Sequence, residues 1–190
     1  MYCKRLRALL LIAPIIFIFS CTIKQEEETN LLKAINISLP LQEMEHLVSF
    51  AEAEKDIDTI PKTLSFVVYK DPQTCTTCEL SHLGEWGTIE RKSNEIIPVK
   101  YFYIFAPSED HHHEVESFYQ SSRLLQSIYI DDKLALEKSN PILKNAKYHS
   151  FLMDAEGKLL YVGDPTKSES NEKNLLKVLQ VYAERSQGTD

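Results

Sequence analysis

Cys75 and Cys78 carry the sharpest chemical signal in the chain. The spacing Cys75-Thr76-Thr77-Cys78 lets two sulfurs close a small disulfide ring, although zinc sites and structural disulfides use it too. Their setting narrows the choice. Leu64-Ser-Phe-Val-Val-Tyr69 predicts a buried strand, and the cysteines follow it where a helix begins. The first thiol then sits beside unpaired helix N–H groups that favour a thiolate. Such a pair is suited to thiol chemistry: Cys75, the more exposed, attacks a disulfide, and Cys78, one turn into the helix, resolves the mixed disulfide. Lys70 at the strand end is placed to help the thiolate. Thr76 and Thr77 are uncharged, so nothing between the cysteines marks a strong oxidant.

Other chemistry-bearing residues are fewer. His82 lies four residues after Cys78, on the same helix face, and makes a third soft-metal ligand conceivable beside the two thiols. His111-His-His113 looks like a metal tract, but it lies beside Asp110 and Glu114 in a polar loop. Three consecutive histidines cannot all face one ion from a helix.

Cysteine usage elsewhere depends on the start of the chain. Met1 to Arg7 is cationic without an acid, and Ala8 to Phe19 is apolar except for Pro14, which reads as a secretory signal. A bilayer span needs about 20 residues, so cleavage is favoured over an uncleaved anchor. Ile18-Phe19-Ser20-Cys21 resembles the lipobox of bacterial lipoproteins, with Phe19 bulky for its position. That resemblance implies lipid attachment at Cys21 and anchoring to a membrane. The acidic run Lys24-Gln-Glu-Glu-Glu28 resembles surface-export signals of some Bacteroidetes lipoproteins and reads equally as a solvated tether.

With 21 Lys and Arg against 28 Asp and Glu, the formal charge is -7. Losing Lys4, Arg5 and Arg7 with the signal takes it to about -10. So acidic a body excludes a nucleic-acid backbone binder, and the five glycines form no phosphate loop. Cys3 leaves with the signal, so the close pair is all that remains for thiol work, too small a loop to staple a domain.

The elements that must position the pair follow from periodicity. Residues 22 to 39 read as tether. From Pro40, Leu41, Met44, Leu47, Val48 and Ala51 recur at helical spacing, predicting an amphipathic helix to about Lys55. Thr63 to Tyr69 is a central strand. Leu80, Leu83 and Trp86 carry a helix toward Ile89, in which Gly84 and Gly87 call for a close neighbour. Val99 to Phe105 is a second strand, after which Asp110 caps a helix with Val115, Phe118 and Tyr119 on one side. Ser127 to Ile130 is a short strand, and Lys133 to Lys138 a turn or two of helix. Phe151 to Asp154 and Leu159 to Val162 flank Gly157 as a hairpin, and Leu175, Leu176, Leu179 and Tyr182 mark a last helix. Right-handed crossovers put the first two strands in parallel and the hairpin beside the first, with helices on both faces.

That order, with Cys-x-x-Cys after the first core strand, resembles the thioredoxin fold, and most of all its TlpA-like and peroxiredoxin-like branch. Ile128 to Asn140 matches the branch's inserted strand and helix, and Phe151-Leu-Met-Asp-Ala-Glu-Gly-Lys158 its recurrent hairpin. Val162-Gly-Asp-Pro165 is similar to a stretch in thioredoxin-like lipoproteins of Bacteroidetes. The resemblance spans roughly residues 62 to 185. It implies an α/β fold with a central mixed sheet. It also implies a membrane-anchored, extracytoplasmic thiol-disulfide exchange protein with Cys75 and Cys78 catalytic and no cofactor. Its partners would be envelope or secreted protein thiols and disulfides, and its location the outer membrane, on the periplasmic or the surface face. The expected organisation is signal 1–20, tether 21–39, leading helix and linker 40–60, and thioredoxin-like domain 61–187.

Two positions depart from the resemblance. Thr74 stands where redox-active members carry an aromatic residue, and Tyr148 where they place a cis-proline that faces the cysteines and keeps metals off them. His149, next to Tyr148, thereby becomes a candidate fourth ligand with Cys75, Cys78 and His82 for zinc or copper. The alternative function is a metal carrier or non-catalytic binding module on the same fold. In the simpler view His82 is a helix-surface residue and His149 is paired to backbone.

Overall fold

The computed structural model describes residues 35–49, 64–108 and 111–187. The signal, Cys21, the acidic run, Asp110 and most of the expected linker lie outside the described residues. At the centre is a strand, Leu64–Lys70, in which every residue but the last is buried. A strand apolar on both faces satisfies its backbone only with a partner on each edge. It has both. Numbering from the N-terminus, the sheet contains β1 (Glu45–Leu47), β2 (Leu64–Lys70), β3 (Val99–Phe105), β4 (Ile128–Ile130), β5 (Ser150–Met153) and β6 (Leu159–Val162). Their order is β1-β4-β3-β2-β5-β6. β2 runs parallel to β3 from Leu64↔Val99 to Lys70↔Phe105 and antiparallel to β5. The first two core strands, the hairpin and its place are therefore as expected.

The helices are α1 (Thr76–Ser81), α2 (Leu83–Ile96), α3 (His112–Ser121), α4 (Ala135–Ser139) and α5 (Glu169–Gln187). From β2 to β3 to β4 the chain moves one way across the sheet, so right-handed crossovers place the intervening helices on one face. There Leu80, Leu83, Trp86, Ile89, Val115, Leu175 and Leu179 pack against Phe66, Val68, Tyr103 and Phe105. The return from β4 to β5 reverses direction, and Leu136 and Leu143 cover Val67, Tyr69, Phe102, Ile104 and Phe151 on the other face. Asp131, fully buried, folds this insertion, since its carboxylate accepts the N–H groups of Ala135 and Leu136 at 2.7 and 2.9 Å.

Three sequence expectations change. The leading helix is replaced, as far as the described residues run, by a single 3-10 turn, Leu41–Glu43, and edge strand β1. β1 pairs with β4, Glu45↔Ile130 to Leu47↔Ile128, because β4 otherwise ends the sheet with an open edge. The tether ends earlier than Leu39. Ile37 and Leu39 are buried, Ile37 N donates to Gly157 O at 2.7 Å, and Asn140 exchanges hydrogen bonds with both backbone groups of Ser38. Residues 35–39 thus pack on the folded domain, ahead of residue 61 where it was expected to start. Gly84 has nothing within 4 Å of where a Cβ would stand, and Gly87 only Gln126 Nε2 at 3.7 Å, so neither answers to a tight neighbour.

The histidine tract opens α3 instead of forming a loop, and its side chains diverge. His112, about a quarter exposed, reaches Glu45 of β1 at 3.2 Å through Nε2 and Asp132 at 2.7 Å through Nδ1. Its pKa is raised, first by the hydrogen bond to Asp132 and further by the charges of Asp132, Glu45 and Glu116, against a smaller opposing effect of burial. His113 is almost fully exposed near Glu116.

Two predictions follow from these contacts. Gly157 has φ +82, and a Cβ there would meet Ile37 O at 2.3 Å. Gly157→Ala should cost about 1–3 kcal/mol in denaturant unfolding, and an unchanged midpoint would mean that the 35–39 segment does not sit on the hairpin. A histidine pKa raised by folding stabilises fully below the unfolded value of about 6.5, and the gain is lost as pH rises through the folded value. Wild type should therefore lose up to about 1 kcal/mol more than His112→Gln as pH rises above 6.5. Parallel curves would remove the ion pair.

Candidate functional site

β2 and β3 are parallel and end in register at Lys70 and Phe105, so the segments that leave them emerge at the same edge of the sheet. The segment after β2 turns at once. Gln73 N donates to Asp71 Oδ1 at 3.2 Å, and Thr74 donates to Asp71 O through N at 3.1 Å and Oγ1 at 2.7 Å. Pro72 suits such a turn because its φ is already fixed. Cys75 then stands as N-cap residue of α1 in extended conformation, and Glu79 N donates to Cys75 O at 3.0 Å. Cys75 and Cys78 are joined by a disulfide with Cα atoms 5.3 Å apart. Both residues are exposed, so exposure does not single out Cys75. What singles it out is a cleft of about 390 Å³ that Cys75 lines with Pro72, Gln73, Thr74, Thr76, Thr77, Ser108, His111, Glu114 and Val115. Thr74, held back on the Asp71 turn, forms part of that cleft where the family resemblance puts an aromatic ring.

Lys70 does not offer its charge to the pair as expected. Its Nζ lies 2.5 Å from Glu79 Oε2, an ion pair between the end of β2 and α1 that takes up the cation beside the dithiol. The proposed metal ligands are also engaged elsewhere. His82 joins α1 to α2 and its exposed ring meets Glu85 Oε1 at 2.9 Å. His149 Nε2 is 2.8 Å from the carbonyl of Leu143, its ring meets Tyr69 edge-on at 5.0 Å, and its own carbonyl accepts Tyr69 N at 2.7 Å. His149 thus prolongs the β2–β5 ladder and holds the chain before β5. Among the described residues no group of three or more His, Cys, Asp or Glu is arranged to hold a metal ion.

Tyr148 ends the 3-10 turn Ala146–Tyr148 and packs, half-buried, against the face that contains Tyr69 and Leu143. Tyr69 itself is buried, and its hydroxyl donates to Glu137 Oε1 at 2.9 Å. Burial first, then that hydrogen bond, push its pKa far up, so the phenol stays neutral and ties β2 to the inserted helix. Ser108, His111 and Glu114 are the cleft residues that sequence reading did not assign to the dithiol. They follow β3, some thirty residues from the cysteines, and only the parallel pairing of β2 and β3 brings the two segments to one edge.

Several solved structures match this chain over part of its length. They include the crystal structure of an exposed lipoprotein thioredoxin from Streptococcus pneumoniae, with 13% identity, 61% of this chain and 84% of that one covered, and a TM-score of 0.43. A second is a putative thiol:disulfide interchange protein from Chlorobium tepidum, with 16% identity, 62% and 81% covered, and a TM-score of 0.42. A third is the thioredoxin domain of a thiol-disulfide oxidoreductase from Bacteroides vulgatus, with 9% identity, 76% and 98% covered, and a TM-score of 0.43. No family model matches the chain, and no curated protein matches it in sequence. The fold is thioredoxin-like. It is the order β3-β2-β5-β6, with β2 parallel to β3 and antiparallel to β5 and the Cys pair directly after β2, that makes it so. None of the helices among the described residues is long and apolar enough to cross a membrane.

The Lys70–Glu79 pair yields a prediction about the reduced state. Glu79→Gln leaves the Lys70 charge uncompensated beside α1, which should favour the Cys75 thiolate in the reduced protein. Thiolate absorbance against pH measures it, and an identical titration in both proteins would separate Lys70 from the dithiol.

Proposed function

We propose that the protein is a thiol-disulfide exchange protein acting on the cysteines of other proteins, with Cys75 as the exchanging sulfur and Cys78 as its resolving partner. The observation that supports this reading is the position of the disulfide. It lies exposed at the start of a helix, just after a buried central strand, with Cys75 on the wall of an open cleft and Cys78 outside that wall. A disulfide that bridges positions three apart constrains an unfolded chain little, so stability is a poor reason for it. An exposed pair is open to attack by an incoming thiolate, which forms a bond to Cys75 as the Cys75–Cys78 bond breaks. The chain works outside the cytoplasm, anchored by lipid on Cys21 in the cell envelope, where disulfides persist. Its partners are secreted or envelope proteins that present thiols or disulfides.

Cys75→Ser should abolish reduction of a protein disulfide such as that of insulin. Cys78→Ser should instead accumulate a mixed disulfide through Cys75, visible by mass. Turnover that survives Cys75→Ser would remove the mechanism.

A further inference from the structure

His111 and Cys75 lie on opposite segments of one cleft. Cys75 comes from the turn after β2, and His111 from the start of α3 after β3. The imidazole is oriented. His111 Nδ1 is 2.5 Å from Ser108 Oγ, and Ser108 also lines the cleft. With Nδ1–H donating to that hydroxyl, Nε2 is left as the basic nitrogen. Glu114, which also lines the cleft, has Oε2 4.0 Å from Nε2. Described charges on the neighbouring elements have partners of their own. On α1, which packs against α3, Glu79 is engaged by Lys70, and the next two histidines of α3 face Glu45, Asp132 and Glu116.

We propose that His111 is the acid–base residue of the dithiol, taking the proton of a substrate thiol as it enters the cleft. This rests on the exchange reading above. Neutral His111 accepts the proton at Nε2, and the resulting substrate thiolate attacks Cys75 Sγ. One S–S bond forms to the substrate while the Cys75–Cys78 bond breaks, and the electron pair leaves on Cys78 Sγ. The proton held by His111 then goes to the new thiolate, directly or through solvent. A second substrate thiol, deprotonated in the same way, displaces Cys75. The substrate ends as a disulfide, oxidised by two electrons, and Cys75 and Cys78 end as two thiols, reduced by two. The reverse sequence reduces a substrate disulfide, with the imidazolium protonating the leaving thiolate. The substrate class is one whose cysteine can enter a cleft of about 390 Å³, room for the cysteine and a residue or two beside it.

The test is the single-turnover reduction of the Cys75–Cys78 disulfide by dithiothreitol, followed as a function of pH in wild type, His111→Gln and Ser108→Ala. His111 is exposed, so the substitutions should leave the fold intact, and unchanged circular dichroism confirms it. General acid–base catalysis typically contributes about a hundred- to ten-thousandfold, and for a thiol that is partly ionised unaided a smaller loss of roughly tenfold at pH 7 is expected in His111→Gln. The gap should close near pH 9, where dithiothreitol supplies its own thiolate, and Ser108→Ala should fall between. Equal rates at every pH would overturn the proposal, and so would a loss of the same size at every pH, which would mark a steric effect. A wild-type disulfide that dithiothreitol cannot reduce at all would overturn the exchange reading itself, a failure distinct from that of His111.

Discussion

Everything that positions the dithiol depends on the pairing of β2 along both of its edges. Its residues from Leu64 to Tyr69 are buried, and such a strand leaves water only if all of its backbone groups find partners. The parallel ladder with β3 and the antiparallel ladder with β5 supply them. The parallel partner fixes that the turn after β2 and the segment after β3 share an edge, and so creates the cleft. The antiparallel partner brings His149 against Tyr69 and settles where the chain enters the hairpin. A slip by one residue in either ladder would turn Phe66 and Val68 to the face that Val67 and Tyr69 now occupy.

Around that constraint the charges arrange themselves in closed pairs. Lys70 meets Glu79, Lys92 of α2 meets Glu172 of α5, and His112 bridges Glu45 and Asp132. The cation at the end of β2 is thus already compensated by α1, and the polarity of the cleft comes from Gln73, hydroxyls, His111 and Glu114. With a net charge of -7, the chain presents an acidic body to whatever approaches.

Strong, local patterns were legible in the sequence, and long-range choices were not. The apolar runs of β2 and β3 and the Gly157 hairpin announced themselves because each carries its reason within a few residues. Gly157 needs φ +82, and only glycine adopts it beside Ile37. Residues 41–49 misled because Leu41, Met44, Leu47 and Val48 fit a helical period, while a strand of three residues is too short to display alternation. The deciding partner, the open edge of β4, lies some eighty residues away. Ile35, Ile37 and Leu39 do alternate, a period-two signal that marks their packing on the hairpin but is too short to stand out from a segment that reads as tether. The cysteines were found from their spacing, and the His82–Glu85 contact, three residues apart, obeys a spacing rule too, but the partner of His149 is a carbonyl of the 3-10 turn Pro141–Lys144 that no spacing reveals.

In the proposed exchange reaction the Cys75–Cys78 bridge exists to be opened and closed. Its reduction potential, measured by equilibration with dithiothreitol and glutathione buffers, tests this most directly. A redox-active pair should fall in the range of about -270 to -120 mV occupied by exchange proteins, with two electrons per transition. A value below about -300 mV, where structural disulfides resist reduction, would contradict the account.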